Sequence, residues 1–95
     1  MSLNFSNNLL EEDGARSFAE FLQHTKTLKV IKAVNCGLSD KSALLMKEAI
    51  QKNPSIKLEH LDLSGNPFEK KGMQDLLSFI INLKHLENLN LSNCI

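Results

Sequence analysis

The sequence is poor in the residues that mark several large classes of protein. Its 95 residues include no tryptophan, no tyrosine, two prolines and two cysteines. Two cysteines are too few for a disulfide scaffold, so we expect Cys36 and Cys94 to be buried thiols in a reducing compartment, the cytoplasm. Eleven basic residues balance eleven acidic ones. This balance gives no electrostatic attraction for nucleic acid or for an anionic membrane surface.

Long apolar runs and chemical motifs are missing as well. No run approaches the roughly 20 residues of a membrane span, and residues 1–10 lack the basic start and apolar centre of a signal peptide. The four glycines are isolated, so no phosphate-binding loop is present. His24, His60 and His85 fall in different predicted elements, without zinc-ligand spacing. We therefore predict no catalytic, metal-binding or cofactor-binding residues and no cofactor.

What the sequence does contain is a repeat. Residues 58–68 fit the pattern L-x-x-L-x-L-x-x-N-x-L, with Phe68 in the last position. The pattern returns from Leu28, from Leu86 and, without its first leucine, at the start of the chain. Equivalent positions lie 28 or 30 residues apart, and the two additional residues fall near 53–55. We predict one domain with units at 1–27, 28–57, 58–85 and 86–95, the last partial, as a fragment of a larger protein.

The second half of each unit has helical periodicity. One position, which we call the ladder position, holds Asn8, Cys36, Asn66 and Cys94. Apolar residues follow it at +7, +10, +13 and +14, and these steps mark one face of a helix. Each unit is therefore a short strand, a turn, a helix and a return segment. The predicted fold class is α/β, a right-handed solenoid with parallel strands on the concave face and helices on the convex face.

Units of this length with a full helix resemble leucine-rich repeats of the ribonuclease-inhibitor type. Within that type, the sequence is similar to the CARMIL family of actin capping-protein regulators. The likeness lies in Asn7-Asn8-Leu9-Leu10-Glu11-Glu12-Asp13-Gly14, in Leu38-Ser39-Asp40-Lys41, in Asn53-Pro54, in residues 58–66 and in residues 89–93. This resemblance implies a piece of a cytoskeletal scaffold that holds a protein partner. That family contacts capping protein through an extended basic segment outside the repeats, and nothing here resembles that segment.

Two other classes of protein contain the same type of repeat, and each gives an alternative function. One is a GTPase-activating protein like the Ran activator, which acts through loops on one rim of the repeats. The single arginine, Arg16, falls on the first predicted helix and not in such a loop. The other is the repeat arm of a cytosolic immune sensor, which requires a neighbouring nucleotide-binding domain. A non-catalytic interaction module is the favoured interpretation.

Two surfaces are candidate binding sites. Side chains alternate along a strand, so the concave partner surface is predicted to contain Val30, Lys32, Val34, His60, Asp62, Asn88 and Asn90. Lys32 beside Asp62 forms at most a weak surface ion pair. Uncapped repeat ends expose apolar side chains, and self-association through them would use Leu3, Phe5, Phe18 and Phe21 at one end and Leu89, Leu91 and Ile95 at the other.

Overall fold

The computed structural model describes residues 1–94 and consists of strands that alternate with helices. The elements are β1 (Ser2–Asn4), α1 (Glu12–His24), β2 (Val30–Lys32), α2 (Asp40–Gln51), β3 (His60–Asp62), α3 (Lys70–Ile80) and β4 (Asn88–Asn90). Each strand has three residues, and the helices have 13, 12 and 11 residues. This alternation confirms the α/β class. No helix among the described residues is long and apolar enough to cross a membrane.

The four strands form one parallel sheet in chain order, β1-β2-β3-β4. Leu3 pairs with Ile31, Ile31 with Leu61, and Leu61 with Leu89. Residues at the same position of the repeat therefore lie side by side. The two additional residues of the second unit leave this register intact because the return segment between α2 and β3 accommodates them. β1 and β4 are the edges of the sheet.

The apolar positions of the repeat meet in one core. Ile31 and Leu61 project inward from the central strands, and both are almost fully buried. Leu22, Met46 and Leu76 reach the same core from the three helices. α1 packs against α2, and α2 packs against α3. Burying each such side chain contributes about 1.5–3 kcal/mol, so the inward leucines stabilise the fold most strongly.

The ladder position links each unit to the one before it. The Asn66 side chain is buried; its Nδ2 donates to the carbonyls of Ala33 (2.7 Å) and Leu63 (2.8 Å). Its Oδ1 accepts the backbone N–H groups of Cys36 (2.8 Å) and Leu38 (3.1 Å). These backbone groups lie in the turn after each strand, where a neighbouring strand no longer provides their hydrogen-bond partners. An asparagine supplies both donors and acceptor from one side chain.

Cysteine performs part of the same task in the second and fourth units. Both thiols are free and buried. Cys36 Sγ donates to the Phe5 carbonyl and Cys94 Sγ donates to the Leu63 carbonyl, each over 3.1 Å. These carbonyls belong to the preceding unit, as the Ala33 carbonyl does for Asn66. A thiol is small enough for this buried position but offers one weak donor.

A glycine and an aspartate bring the starts of α2 and α3 together. Asp40, the first residue of α2, accepts the backbone N–H of Glu69 with its carboxylate oxygen (2.7 Å). Gly72 lies against that carboxylate, and a Cβ at Gly72 would overlap it. The absence of a side chain at Gly72 therefore leaves room for a side chain of the neighbouring unit. The Asp40 carboxylate therefore accepts a free N–H at the start of α3, the next helix, and not at the start of its own helix α2. It extends from the second unit to the third.

Candidate partner-binding surface

The strand register assembles two columns of outward side chains. One column is Ser2, Val30, His60 and Asn88, and the other is Asn4, Lys32, Asp62 and Asn90. We call these eight residues the strand face. All of them are exposed or half-buried. The parallel sheet thus places six of the seven residues proposed for the concave surface on one face, while Val34 follows β2 and is half-buried.

One column of the strand face has a conformational role. The side-chain oxygens of Asn4, Asp62 and Asn90 accept the backbone N–H two residues later, over 2.9–3.1 Å. Each such bond closes a turn at the end of its strand. Lys32 has no acceptor, and there Ser6 Oγ accepts the N–H of Val34 (3.1 Å). The Lys32 ammonium is therefore not engaged in a turn, unlike the polar groups beside it.

A further set of residues beside the strand face is fixed by the backbone. Asn7, Asn35 and Asn93 have φ values of 65°, 53° and 57°, and Gly65 has 73°. These four residues share one position of the repeat. Left-handed backbone is tolerated best by glycine and asparagine. This asparagine column is therefore explained by the turn that follows each strand, and it needs no partner to account for it.

A shallow open cavity of about 450 Å³ lies over the last three strands. Lys32, His60, Asp62, Asn88 and Asn90 line it, together with Leu89. Asn88 Nδ2 and His60 Nδ1 are 2.8 Å apart, so the two side chains are joined across neighbouring strands. The cavity therefore offers a mixed polar surface with one cation and one carboxylate.

The surface ion pair considered for Lys32 and Asp62 is not among the ion pairs within residues 1–94. The Asp62 carboxylate instead accepts both the N–H (3.1 Å) and the hydroxyl (2.8 Å) of Ser64. These local bonds hold the carboxylate at the strand end. Lys32 is consequently an exposed cation with no ion-pair partner among the described residues.

At the first end of the chain, one of the four residues predicted to be exposed for self-association is buried. Leu3, Phe5 and Phe21 are half-buried, but Phe18 is only 8% exposed. The Phe5 ring lies edge-on to the Phe18 ring with centroids 4.9 Å apart, and it shields Phe18 from solvent. Phe18 is therefore a core residue and does not belong to an association surface.

At the opposite end, Leu89 is 44% exposed and Leu91 is half-buried. Ile95, the third residue proposed there, lies outside the described residues. Leu77 and Ile81, at the outer side and end of α3, are 47% and 79% exposed. The repeat pattern did not single out these two side chains because they fall between its recurring apolar positions.

Sequence reasoning also missed a buried carboxylate between α2 and α3. Asp75 is 2% exposed, and its Oδ1 accepts from Lys47 (3.3 Å) and Lys71 (3.2 Å). Burial raises the pKa of Asp75, but the hydrogen bonds and charges of the two lysines outweigh it and hold the pKa below the ordinary value. Its Oδ2 has no partner among residues 1–94. In the sequence, Asp75 is a charged residue beside the buried apolar positions of α3, and this interruption was the signal that could have identified it.

The described residues show no assembly for metal binding. Within residues 1–94, no three His, Cys, Asp or Glu side chains are grouped so as to hold a metal ion.

Burial raises the pKa of the Cys36 thiol, and the hydrogen bonds from the backbone of Asn8 and Asn7 lower that pKa by a smaller amount. A protonated, buried thiol is a poor nucleophile. Cys36 is accordingly a packing and hydrogen-bonding residue.

Comparison with known proteins identifies the repeat. The Leucine Rich Repeat family matches residues 57–83. NACHT, LRR and PYD domains-containing protein 14 of Mus musculus is 36% identical over 97% of the chain, Protein TORNADO 1 of Arabidopsis thaliana 34% over 80%, and Protein CARMIL of Dictyostelium discoideum 28% over 83%. No solved structure gives a significant match.

The chain spans a small part of each of these relatives, 9%, 5% and 8% of their respective lengths. The three proteins differ in name and organism, and the likeness to CARMIL does not stand apart from the other two. What they share with this chain is the repeat. The matches support nothing narrower than leucine-rich repeat sequence, which the family match places at residues 57–83.

Proposed function

We propose that this chain is a non-catalytic protein-binding module that holds its partner on the strand face. The observation that carries the proposal is the strand register, which brings Val30, Lys32, His60 and Asn88 together on one side of the sheet. In this proposal the four units, bounded at 27, 57 and 85, continue as a right-handed solenoid. The strand face is then its concave side, the side on which curved repeat proteins usually bind.

The partner contact is proposed to centre on Lys32 and the cavity beside it. Lys32 is exposed and has no ion-pair partner within residues 1–94, whereas Asp62 and Asn90 also close turns. Val30 and Val34 add half-buried apolar area on the same strand and its continuation. An apolar patch with one cation can be contacted without breaking bonds of the fold.

The test of the strand face is a charge reversal with a matched control. Proteins that bind the chain are captured from the source cell, and the affinity of each is measured for Lys32→Glu and for Lys26→Glu. Lys26 is equally an exposed lysine but lies in the return segment after α1. Loss of a partner with Lys32→Glu alone supports the strand face. Equal affinity of every partner for both variants contradicts it.

The wider role proposed is part of a cytoskeletal, actin-regulatory scaffold in the cytoplasm. The resemblance to CARMIL and the match to Protein CARMIL support it, and the two free buried thiols fit a reducing compartment. Association of the full-length protein with actin structures in cells is the expected result. Diffuse distribution that does not respond to actin depolymerisation would contradict the scaffold role.

The match to the mouse protein supports a second candidate, the repeat arm of an immune sensor. That protein's name places leucine-rich repeats beside a NACHT domain, and the match covers 97% of this chain. The reading frame flanking residues 1–95 decides between the two candidates. A nucleotide-binding domain beside the repeats favours the sensor.

A GTP hydrolysis assay with small GTPases tests the third candidate, a GTPase-activating protein of the Ran-activator type. Stimulation of GTP hydrolysis by the chain would favour that candidate.

Self-association through the ends of the sheet is a further proposal. β1 and β4 are edge strands, and an edge strand offers unpaired N–H and C=O groups to another chain. Leu3 and Phe5 lie at one edge, and Leu89 and Leu91 lie at the other. Light scattering over a dilution series measures the mass. A mass above the monomer that Leu89→Lys lowers supports association, and a monomer at the highest concentration contradicts it.

A further inference from the structure

A groove lies between two return segments, away from the strand face. Its larger part is a cavity of about 290 Å³ between the segment after α2 and the segment after α3. Ile50 and Phe79 form its buried floor, and Ile56 and Leu83 are half-buried at its walls. A second cavity of about 150 Å³ adjoins it and shares Pro54, Ile56, Asn82 and Lys84. We call the two cavities together the loop groove.

Hydrogen bonds hold the wall of the loop groove in place. Asn53 is 7% exposed, and its Nδ2 donates to the carbonyls of Leu22 and Thr25, each over 2.8 Å. The Asn53 carbonyl accepts the N–H of Ile56 (3.2 Å). The longer return segment of the second unit is thereby attached to the end of α1. The groove is present before anything binds, which lowers the ordering cost of an interaction.

The rim of the loop groove is basic. Lys57, Lys84 and His85 line it, and no Asp or Glu of the described part of the chain lines either cavity. The two lysines are exposed and take part in none of the ion pairs within residues 1–94. Glu59, two residues after Lys57, is paired with Lys29 over 3.7 Å. A chain with no net charge thus concentrates positive charge around an apolar groove.

We infer that the loop groove binds an extended acidic segment of a partner protein. An apolar side chain of that segment enters between Ile56 and Leu83, and its Asp or Glu neighbours face Lys57 and Lys84. The volume lies at the lower limit of small-molecule pockets, about 300 Å³, and suits one or two side chains. Single-stranded nucleic acid binds by stacking its bases on exposed rings. Phe79 is 2% exposed, and the exposed His85 imidazole at the rim is a single small ring. This site is independent of the strand face.

The experiment selects ligands for the whole chain from a random dodecapeptide library displayed on phage. The expected peptides place Leu, Ile or Phe next to Asp or Glu. Synthetic copies should shift the backbone amide resonances of Ile56, Leu83 and Lys84 in NMR spectra. Their affinity should fall as salt rises, because exposed charges are screened. Reversing both rim charges with Lys57→Glu and Lys84→Glu should weaken binding about tenfold or more.

The matched control is Lys26→Glu, which changes an exposed lysine at the same repeat position as Lys84, outside the groove. It should leave the peptide affinity unchanged, as should Lys32→Glu on the strand face. Three results would overturn the inference: no enriched peptide, enriched peptides without acidic residues, or equal losses with the rim and control variants. Tighter binding of an oligothymidine than of the peptides, with the same dependence on Lys84, would assign the groove to nucleic acid instead.

Discussion

Asn8 and Asn66 occupy the same position of the repeat, one at the edge of the sheet and the other in its interior. Asn66 is fully buried and bonds the backbone of the second and third units. Asn8 is exposed, and within residues 1–94 its amide donates only to the nearby carbonyls of Phe5 and Ser6. The residue type is therefore not what makes this position structural. The preceding unit supplies the backbone groups that turn an asparagine into a link.

The same contrast between interior and edge predicts the largest loss for an inward leucine. Leu61→Ala in β3 should lower the free energy of unfolding by about 2–5 kcal/mol, because it leaves a cavity in the core. Leu89→Ala, at the same register in edge strand β4, should cost under about 1 kcal/mol, since Leu89 is 44% exposed. Urea denaturation measures both. Similar losses would mean that the edge is as tightly packed as the interior.

The next largest effect is expected at the ladder position. Asn66→Ala removes two donors and an acceptor from buried partners, and the unfolding free energy should fall by about 2–4 kcal/mol. Asn8→Ala should change it by less than about 0.5 kcal/mol because the site is exposed. The same denaturation assay applies. A cost at Asn8 equal to that at Asn66 would break the distinction between edge and interior.

A smaller difference in stability is expected between alanine substitutions at two glycines of different units, Gly72 and Gly14. Gly72→Ala forces the Asp40 carboxylate away from the Glu69 N–H and should cost about 1–3 kcal/mol. Gly14→Ala meets only the flexible end of Leu10 and should be neutral or stabilise by up to about 1 kcal/mol through helix propensity. Thermal melts of the two variants provide the comparison. A stabilising Gly72→Ala would show that Asp40 moves without cost.

The smallest effect depends on pH. The pKa of Asp75 is held below the ordinary aspartate value of 3.8 by Lys71 and Lys47, despite its burial. A lowered folded-state pKa adds stability above the unfolded-state value, and this stability is lost as pH falls through the folded-state pKa. Stability should therefore decline below about pH 4, and Asp75→Asn should flatten that decline. Glu20→Gln, at an exposed carboxylate of α1 that takes part in none of the ion pairs within residues 1–94, serves as the control and should leave the decline in place.

The strand register and the core followed from the repeat because a fixed spacing dictates which residues meet in a parallel sheet. The pairing of Val30 with His60 and Asn88 is a direct outcome. The roles of Asp75 and Asn53 did not follow, since each depends on groups about 28 residues away that the pattern treats as variable. Lys32 and Asp62 were adjacent as expected, but a local serine competed successfully for the carboxylate.

The bonds between units have one consequence for the folding rate. They join residues of similar separation along the chain, from 26 residues for Leu10 and Cys36 to 33 for Asn66 and Ala33. The entropy lost in closing a chain loop depends on its length. Each further unit would close a loop of the same size as the last. The time needed to add a unit should thus depend on the repeat length and not on the length of the whole protein.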